Sequence, residues 1–251
     1  MPPSRRIGWI AFALASLLAV IGLLALGVWQ VERRSWKLAL IERVDRRIHA
    51  SPEAAPPPAR WPMLSADDEY RRLRLQGRFV AGRQALVQAS TARGAGFWVM
   101  TPLRTDDAGT VLVNRGFVES ARDAGEPDPS TPVDLVGLLR TSEPGGGFLR
   151  HNDPAAGRWY SRDVQAIAAA LGLSGVAPYF VDAEAAPAAS AAATAAATPV
   201  AGLTVIAFRN HHLVYALTWF ALAAMMAAGA GHVLRDGWRR HRHGARHERP
   251  D

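Results

Sequence analysis

Two uncharged apolar runs bracket the chain. Ile7 to Gln30 holds no acid or base and follows Arg5 and Arg6, and Asn210 to Leu234 follows Arg209 in the same way. Either run is long enough to cross the hydrocarbon core of a bilayer as a helix. A secretory signal also opens on basic residues, but its apolar core is shorter. The first run therefore reads as an uncleaved anchor, with Ala25-Leu26-Gly27 left as a weak cleavage candidate. Beyond it Leu38, Ile41, Val44 and Ile48 recur at helical spacing with no breaker before Pro52, which predicts a helix continuing out of the membrane through 31–51.

After the proline-rich break of Pro52 to Pro62 the period changes. Tyr70 to Val80 alternates Leu73 and Leu75 with Arg72, Arg74 and Gln76, as a half-buried strand does. Gln84 to Ala89, Phe97 to Leu103, Val111 to Val118 and Val133 to Leu139 follow as further strands between Gly-, Asp- and Pro-rich turns. One amphipathic helix is predicted from Ser161, as its cap, to Leu171, and Tyr179 to Asp182 with Leu203 to Phe208 would complete the sheet. Ala183 to Pro199 is mostly alanine, offers little to pack, and reads as a surface loop.

These elements define an α+β membrane protein: two transmembrane helices flanking an extracytoplasmic antiparallel β-sheet or small β-barrel with one short helix. The expected division is a tail at 1–6, a first span at 7–30, a juxtamembrane helix at 31–51, a β-rich domain at 52–209 containing the alanine-rich loop 183–199, a second span at 210–234, and a basic tail at 235–251.

Charge fixes the expected orientation. Of the net +7 over 251 residues, much lies in the two tails and beside the apolar runs, which points to anionic membrane lipid rather than nucleic acid as the partner. By the positive-inside rule both termini face the cytoplasm, and the central domain lies in the periplasm if the membrane is a bacterial inner membrane. The chain has no cysteine, so disulfides, thiolate metal sites and covalent c-type haem attachment are excluded. Ala11, Ala15 and Ala19, with Ala223, Ala227 and Gly231, recur at four-residue intervals; they are either a close-packing seam between the spans or a reflection of abundant alanine.

No catalytic signature emerges. The acids Asp67 to Glu69, Asp182 and Glu184 read as solvated turn residues, Ser161 lacks a nucleophile elbow, and Gly145-Gly146-Gly147 lacks the lysine of a phosphate loop. His151 reads as a loop residue. The mouth of the second span carries the chemistry: His211 and His212 precede Tyr215 and Trp219, and a helix starting there puts His212, Tyr215 and Trp219 on one face. Imidazole is a common metal ligand and the usual axial ligand of haem iron. Where the first span ends, Trp29, Arg33 and Trp36 share a face. They either anchor the helix at the interface or, with Arg34 and Lys37, neutralise the acidic edge of a ligand such as the propionates of a haem.

The same residues carry a resemblance. Gly27, Trp29, Gln30, Arg33, Trp36 and Lys37 are similar to a signature of the surfeit-locus family of cytochrome c oxidase assembly proteins. So are Val111 to Val118 with Asn114-Arg115-Gly116, Asn152-Asp153-Pro154 with Trp159-Tyr160, and Asn210-x-His212-Leu213-x-Tyr215-Ala216-x-Thr218-Trp219-Phe220. The family pattern commonly has asparagine where this chain has His211, which leaves His211 as a competitor, and the alanine-rich segment is not a family feature. The resemblance implies a non-enzymatic factor in haem-copper oxidase biogenesis that binds haem a through His212 and helps deliver it to cytochrome c oxidase subunit I. Tyr215, Trp219, Trp29, Arg33 and Lys37 would line the haem, and haem A synthase is a further implied partner. The alternative is a scaffold that holds a subunit I intermediate and binds no haem.

Overall fold

The structure is a computed structural model that describes residues 3–147, 149–185, 199–203 and 210–244. The chain divides into two units, Met1–Arg43 with Ala207–Asp251, and Val44–Ile206.

The first unit is a pair of helices, α1 (Pro3–Ile48) and α3 (His212–Gly244). At about 1.5 Å per residue the 46 residues of α1 reach about 69 Å, more than twice the thickness of a hydrocarbon core. The helix therefore runs unbroken through both the apolar run and the polar stretch beyond it. Ile7–Ile48 and His212–Arg239 are long and apolar enough to cross a membrane, and both leave most of their apolar side chains uncovered. Exposed leucines and isoleucines in such helices are what lipid covers.

The two helices touch along one stripe each. On α1 the covered positions include Leu23, Gly27 and Gln30, and on α3 His212, Ala216, Phe220 and Ala223. Gly27 is required by this packing: a Cβ there would overlap the ring of Phe220. At the other end Gly237 lies under Trp9, where a Cβ would meet the indole. The four-residue ladder, one of two readings left open by the sequence, joins the seam only in part: Ala223 is buried in it and Ala19 is half-buried. Ala11, Ala15 and Ala227 are exposed, and a Cβ at Gly231 would meet nothing within 4 Å. Four-residue spacing drifts around a helix of 3.6 residues per turn, so small residues kept at that spacing leave any straight contact line.

Among the described residues the second unit has nine strands, β1 (Glu53–Ala54), β2 (Arg72–Phe79), β3 (Ala85–Thr91), β4 (Gly94–Thr105), β5 (Thr110–Val118), β6 (Val133–Thr141), β7 (Gly146–Gly147), β8 (Arg150–His151) and β9 (Val176–Ala183), with a helix α2 (Val164–Ala170). Five of them close a small barrel in the order β2-β6-β9-β5-β4 and back to β2. Neighbours are antiparallel except β5 and β9, which run parallel. Closure depends on three residue pairs, Gly77–Thr105, Arg78–Arg104 and Phe79–Leu103. Gly77 makes the seam possible, because a Cβ there would collide with the Arg104 carbonyl.

Alternation in β2 sends Leu73, Leu75 and Phe79 inward, where they meet Leu103, Val111, Val113, Leu139, Tyr179 and Val181. A second apolar layer covers the outside: Val87, Met100, Leu112 and Phe180 pack against Trp159 and against Val164 and Ile167 of α2. β5 is consequently buried on both faces, which is why Val111-Leu112-Val113 is apolar without alternation. α2 is shorter than predicted and is capped by Asp163, whose side chain accepts from the Ala166 amide. Ser161 instead donates to the Glu143 carbonyl and accepts from Asn152. Of the strand predicted at Leu203 to Phe208, residues 204–208 lie outside the described residues. Val200 pairs with Phe117 through two backbone hydrogen bonds.

Candidate functional site

The helix pair carries the first candidate site. α3 begins at His212, and the carbonyl of His211 accepts from the amides of Val214 and Tyr215, so the imidazole of His212 belongs to the first turn. Its Nδ1 lies 2.8 Å from Oε1 of Gln30 on α1. An amide oxygen only accepts, so Nδ1–H donates in this contact, and the tautomer it selects has its lone pair at Nε2. A partner that fixes the tautomer of a histidine in this way also orients its metal-binding nitrogen. His211, by contrast, is exposed.

The remaining predicted residues divide. Trp219 is half-buried on the same side of α3 as His212, whereas Tyr215 stands at the edge of that side with 56% of its surface exposed. On α1, Trp29 and Trp36 are both 53% exposed, and the Arg33 guanidinium lies 4.1 Å from the centre of the Trp36 ring. That arrangement is the predicted Trp29, Arg33, Trp36 face, with Arg33 turned to an aromatic of its own helix. Lys37, with Arg34, instead lies along the half-buried stripe that contains Gln30. Sequence reasoning missed Gln30 as a site residue. Its signal was a lone amide at the end of an otherwise apolar run, facing nothing that local spacing could name. Asn210, two residues before the start of α3, keeps its Oδ1 enclosed without a partner among the described residues.

The barrel carries a second polar constellation. Asp182, predicted to be a solvated acid, has a side chain only 2% exposed and joins β9 to its neighbours. Its carboxylate accepts from Asn114 Nδ2 at 2.8 Å, from Arg140 at 3.2 Å and from Arg162 at 3.2 Å. Arg162 also reaches Glu143 through Nε at 3.1 Å, and stacks 4.7 Å from the centre of the Phe180 ring. Asn114 Oδ1 accepts from the Gly116 amide, and the positive φ of Gly116 leaves room for the Val200 backbone. The Asn114-Arg115-Gly116 motif is therefore a brace between β5, β9 and the returning chain. Asn152 does similar work, its Oδ1 accepting from the amides of Tyr160 and Ser161.

These ion pairs make the barrel sensitive to acid. Burial alone would raise the Glu143 pKa, but the Arg162 guanidinium outweighs it and holds the carboxyl below its usual range. On the surface Arg74 and Gln76 pull Asp134 down to about 2. A carboxylate with a depressed folded pKa stabilises the fold above its unfolded pKa, and that stability is lost as pH falls through the folded value. The thermal midpoint of the barrel is therefore expected to hold near neutrality and to fall steadily between about pH 5 and pH 2. Circular dichroism melts across that range check it; a midpoint independent of acid contradicts the assignment.

Two apolar spanning helices flanking, in chain order, a small five-strand barrel define a class of two-span membrane protein with one β domain. The chain matches the SURF1 family over residues 17–224, and it belongs to that family. It is 36% identical to Surfeit locus protein 1 of Mus musculus over 219 residues, which cover 79% of this chain and 68% of the mouse protein. Against the protein of the same name in Homo sapiens it is 34% identical over 233 residues, 83% of this chain and 72% of the human one. For that of Xenopus tropicalis the identity is 32% over 229 residues, covering 83% and 71%.

Proposed function

We propose that this protein assists the assembly of haem-copper oxidase by holding haem a at the mouth of its second span and passing it to oxidase subunit I. The observation that carries the reading is the His212–Gln30 contact, which orients an imidazole where the two helices meet. The donor set suits the cargo. His212 offers Nε2 to iron, Arg34 and Lys37 follow Gln30 along the same stripe as countercharges for propionates, and Trp219 supplies an aromatic wall. Trp29, Arg33 and Tyr215, more exposed, suit the membrane interface or the edge of the macrocycle. Asn210 adds an enclosed oxygen with no donor among the described residues.

Each part then has a task. Gln30 Oε1 accepts a hydrogen bond from Nδ1–H and keeps the ring in one tautomer, which raises the basicity of Nε2. The lipid-facing surface of the helices excludes water and accepts an apolar tail. Both termini lie in the cytoplasm of a bacterial cell, the barrel lies in the periplasm, and the basic tail contacts anionic lipid. With His212 as the imidazole this chain contributes, haem would be held by a ligand that can be given up, which suits a carrier.

A scaffold without haem makes a different prediction about the full-length protein co-expressed with haem A synthase, purified, and then mixed with subunit I. As a carrier, the purified protein contains haem before subunit I is added and loses it afterwards. If it associates with subunit I while holding no haem at any stage, the scaffold reading stands and the carrier reading fails.

A further inference from the structure

We propose that Arg78 and Arg104 form an anion site on the barrel that takes a phosphate group. Six arginines lie on the five barrel strands: Arg72, Arg74, Arg78, Arg104, Arg115 and Arg140. Arg72 is paired with Glu184, Arg74 with Asp134 and Arg140 with Asp182, while Arg115 donates to the carbonyl of Gly125. Arg78 and Arg104 alone among these six have no hydrogen bond or ion pair to a described residue. They are also directly opposite each other, in register across the β2–β4 seam.

That register makes the pairing costly. Opposite residues of an antiparallel pair project from the same face with Cβ atoms about 5 Å apart, and like charges so placed repel. The strands cannot slip to relieve it, because Gly77 is pressed against the Arg104 carbonyl, and Phe79 and Leu103 on either side are buried. A rigid seam thus holds two exposed arginines directly opposite each other in register. Beside them is a cavity of about 570 Å³, lined also by Val80, Ala81, Thr105 and Pro129. Asp106 borders the same cavity, yet its carboxylate forms no ion pair with either arginine.

An anion between the two cations removes the repulsion. Phosphate fits better than carboxylate: one guanidinium fork occupies both oxygens of a carboxylate, whereas a phosphate has oxygens for two forks. Val80, Ala81 and Pro129 would face the apolar or ester side of a larger phosphate-bearing molecule. The shared chemistry has two sources, an anionic phospholipid headgroup and free phosphate.

The test uses the full-length protein in detergent, with barrel melting followed by tryptophan fluorescence. In phosphate-free buffer of low ionic strength, Arg104→Gln is expected to raise the barrel Tm by a few degrees by relieving repulsion. Inorganic phosphate at about 10 mM is expected to raise the wild-type Tm by a few degrees over chloride of equal ionic strength, and to leave the Arg78→Gln/Arg104→Gln double variant unmoved. In the second arm the protein is placed in phosphatidylcholine discs with and without phosphatidylglycerol. A variant-sensitive rise only with phosphatidylglycerol assigns the lipid headgroup, and one with inorganic phosphate assigns the free anion. Arg74→Gln, whose partner is Asp134, serves as the control and should keep the wild-type response. Equal responses of wild type and double variant to both probes overturn the proposal.

Discussion

Replacing Asp182 by alanine is expected to cost the barrel about 3–5 kcal/mol, enough to leave much of the domain unfolded at growth temperature. The reason is not the lost carboxylate itself but what it leaves behind. Arg140 and Arg162 would remain in place with their guanidiniums only 15% and 14% exposed, and Asn114 would lose its acceptor. Glu143 still neutralises part of Arg162, whereas Arg140 keeps a longer contact of 3.6 Å to Glu69 and its place 4.9 Å from the centre of the Tyr70 ring. A buried charge stripped of its partner is far more damaging than a pair replaced together by apolar residues of similar volume. Removing the charges together, as Asp182→Leu with Arg140→Met, Arg162→Met and Glu143→Gln so that Glu143 is not left without its guanidinium, is accordingly expected to cost less than Asp182→Ala alone. Urea unfolding of the three proteins, read by circular dichroism, decides it. If Asp182→Ala falls within about 1 kcal/mol of wild type, the network does not hold the barrel.

Asp182 also marks the limit of what could be read from the chain. The strands themselves were legible because each announces its own face: β2 alternates Leu73 and Leu75 with Arg72 and Arg74, and β2 is buried in that alternation. Whether those strands close into a barrel was not, since closure rests on three pairs between β2 and β4, with no local period to record them. Asp182 looked like a turn acid because its neutralising partners come from elsewhere in the chain; Asn114 is 68 residues away. The start of α2 was misplaced for a related reason. Ser161 and Asp163 are both good caps, and only the tie of Ser161 to Glu143 and Asn152 decides which one serves.

The membrane site shows the same division. His212 was conspicuous because an imidazole at the start of an apolar helix is unusual, and its position in the first turn of α3 follows from the chain leaving its charged stretch. Gln30, 182 residues earlier, could not be connected with it until the helices were set side by side. The two histidines, equal in sequence, differ in structure: His212 is held by Gln30 and His211 is exposed.

That difference gives the second large effect. His212→Ala is expected to remove nearly all bound haem, because no other described side chain offers an oriented imidazole at that face, while His211→Ala is expected to retain it. Gln30→Leu should leave an intermediate state, with haem bound about 10-fold to 100-fold more weakly, the usual consequence of losing the partner that orients a metal-binding histidine. None of the three should alter the far-ultraviolet circular dichroism of the barrel, whose stability depends on a separate set of contacts.

The most direct measurement is the visible absorption spectrum of full-length protein purified after co-expression with haem A synthase, compared with the spectra of His212→Ala and His211→Ala. The account predicts a Soret band from imidazole-ligated haem in the wild type and in His211→Ala, and its loss in His212→Ala. A wild-type protein without that band, or a band unchanged by His212→Ala, contradicts it.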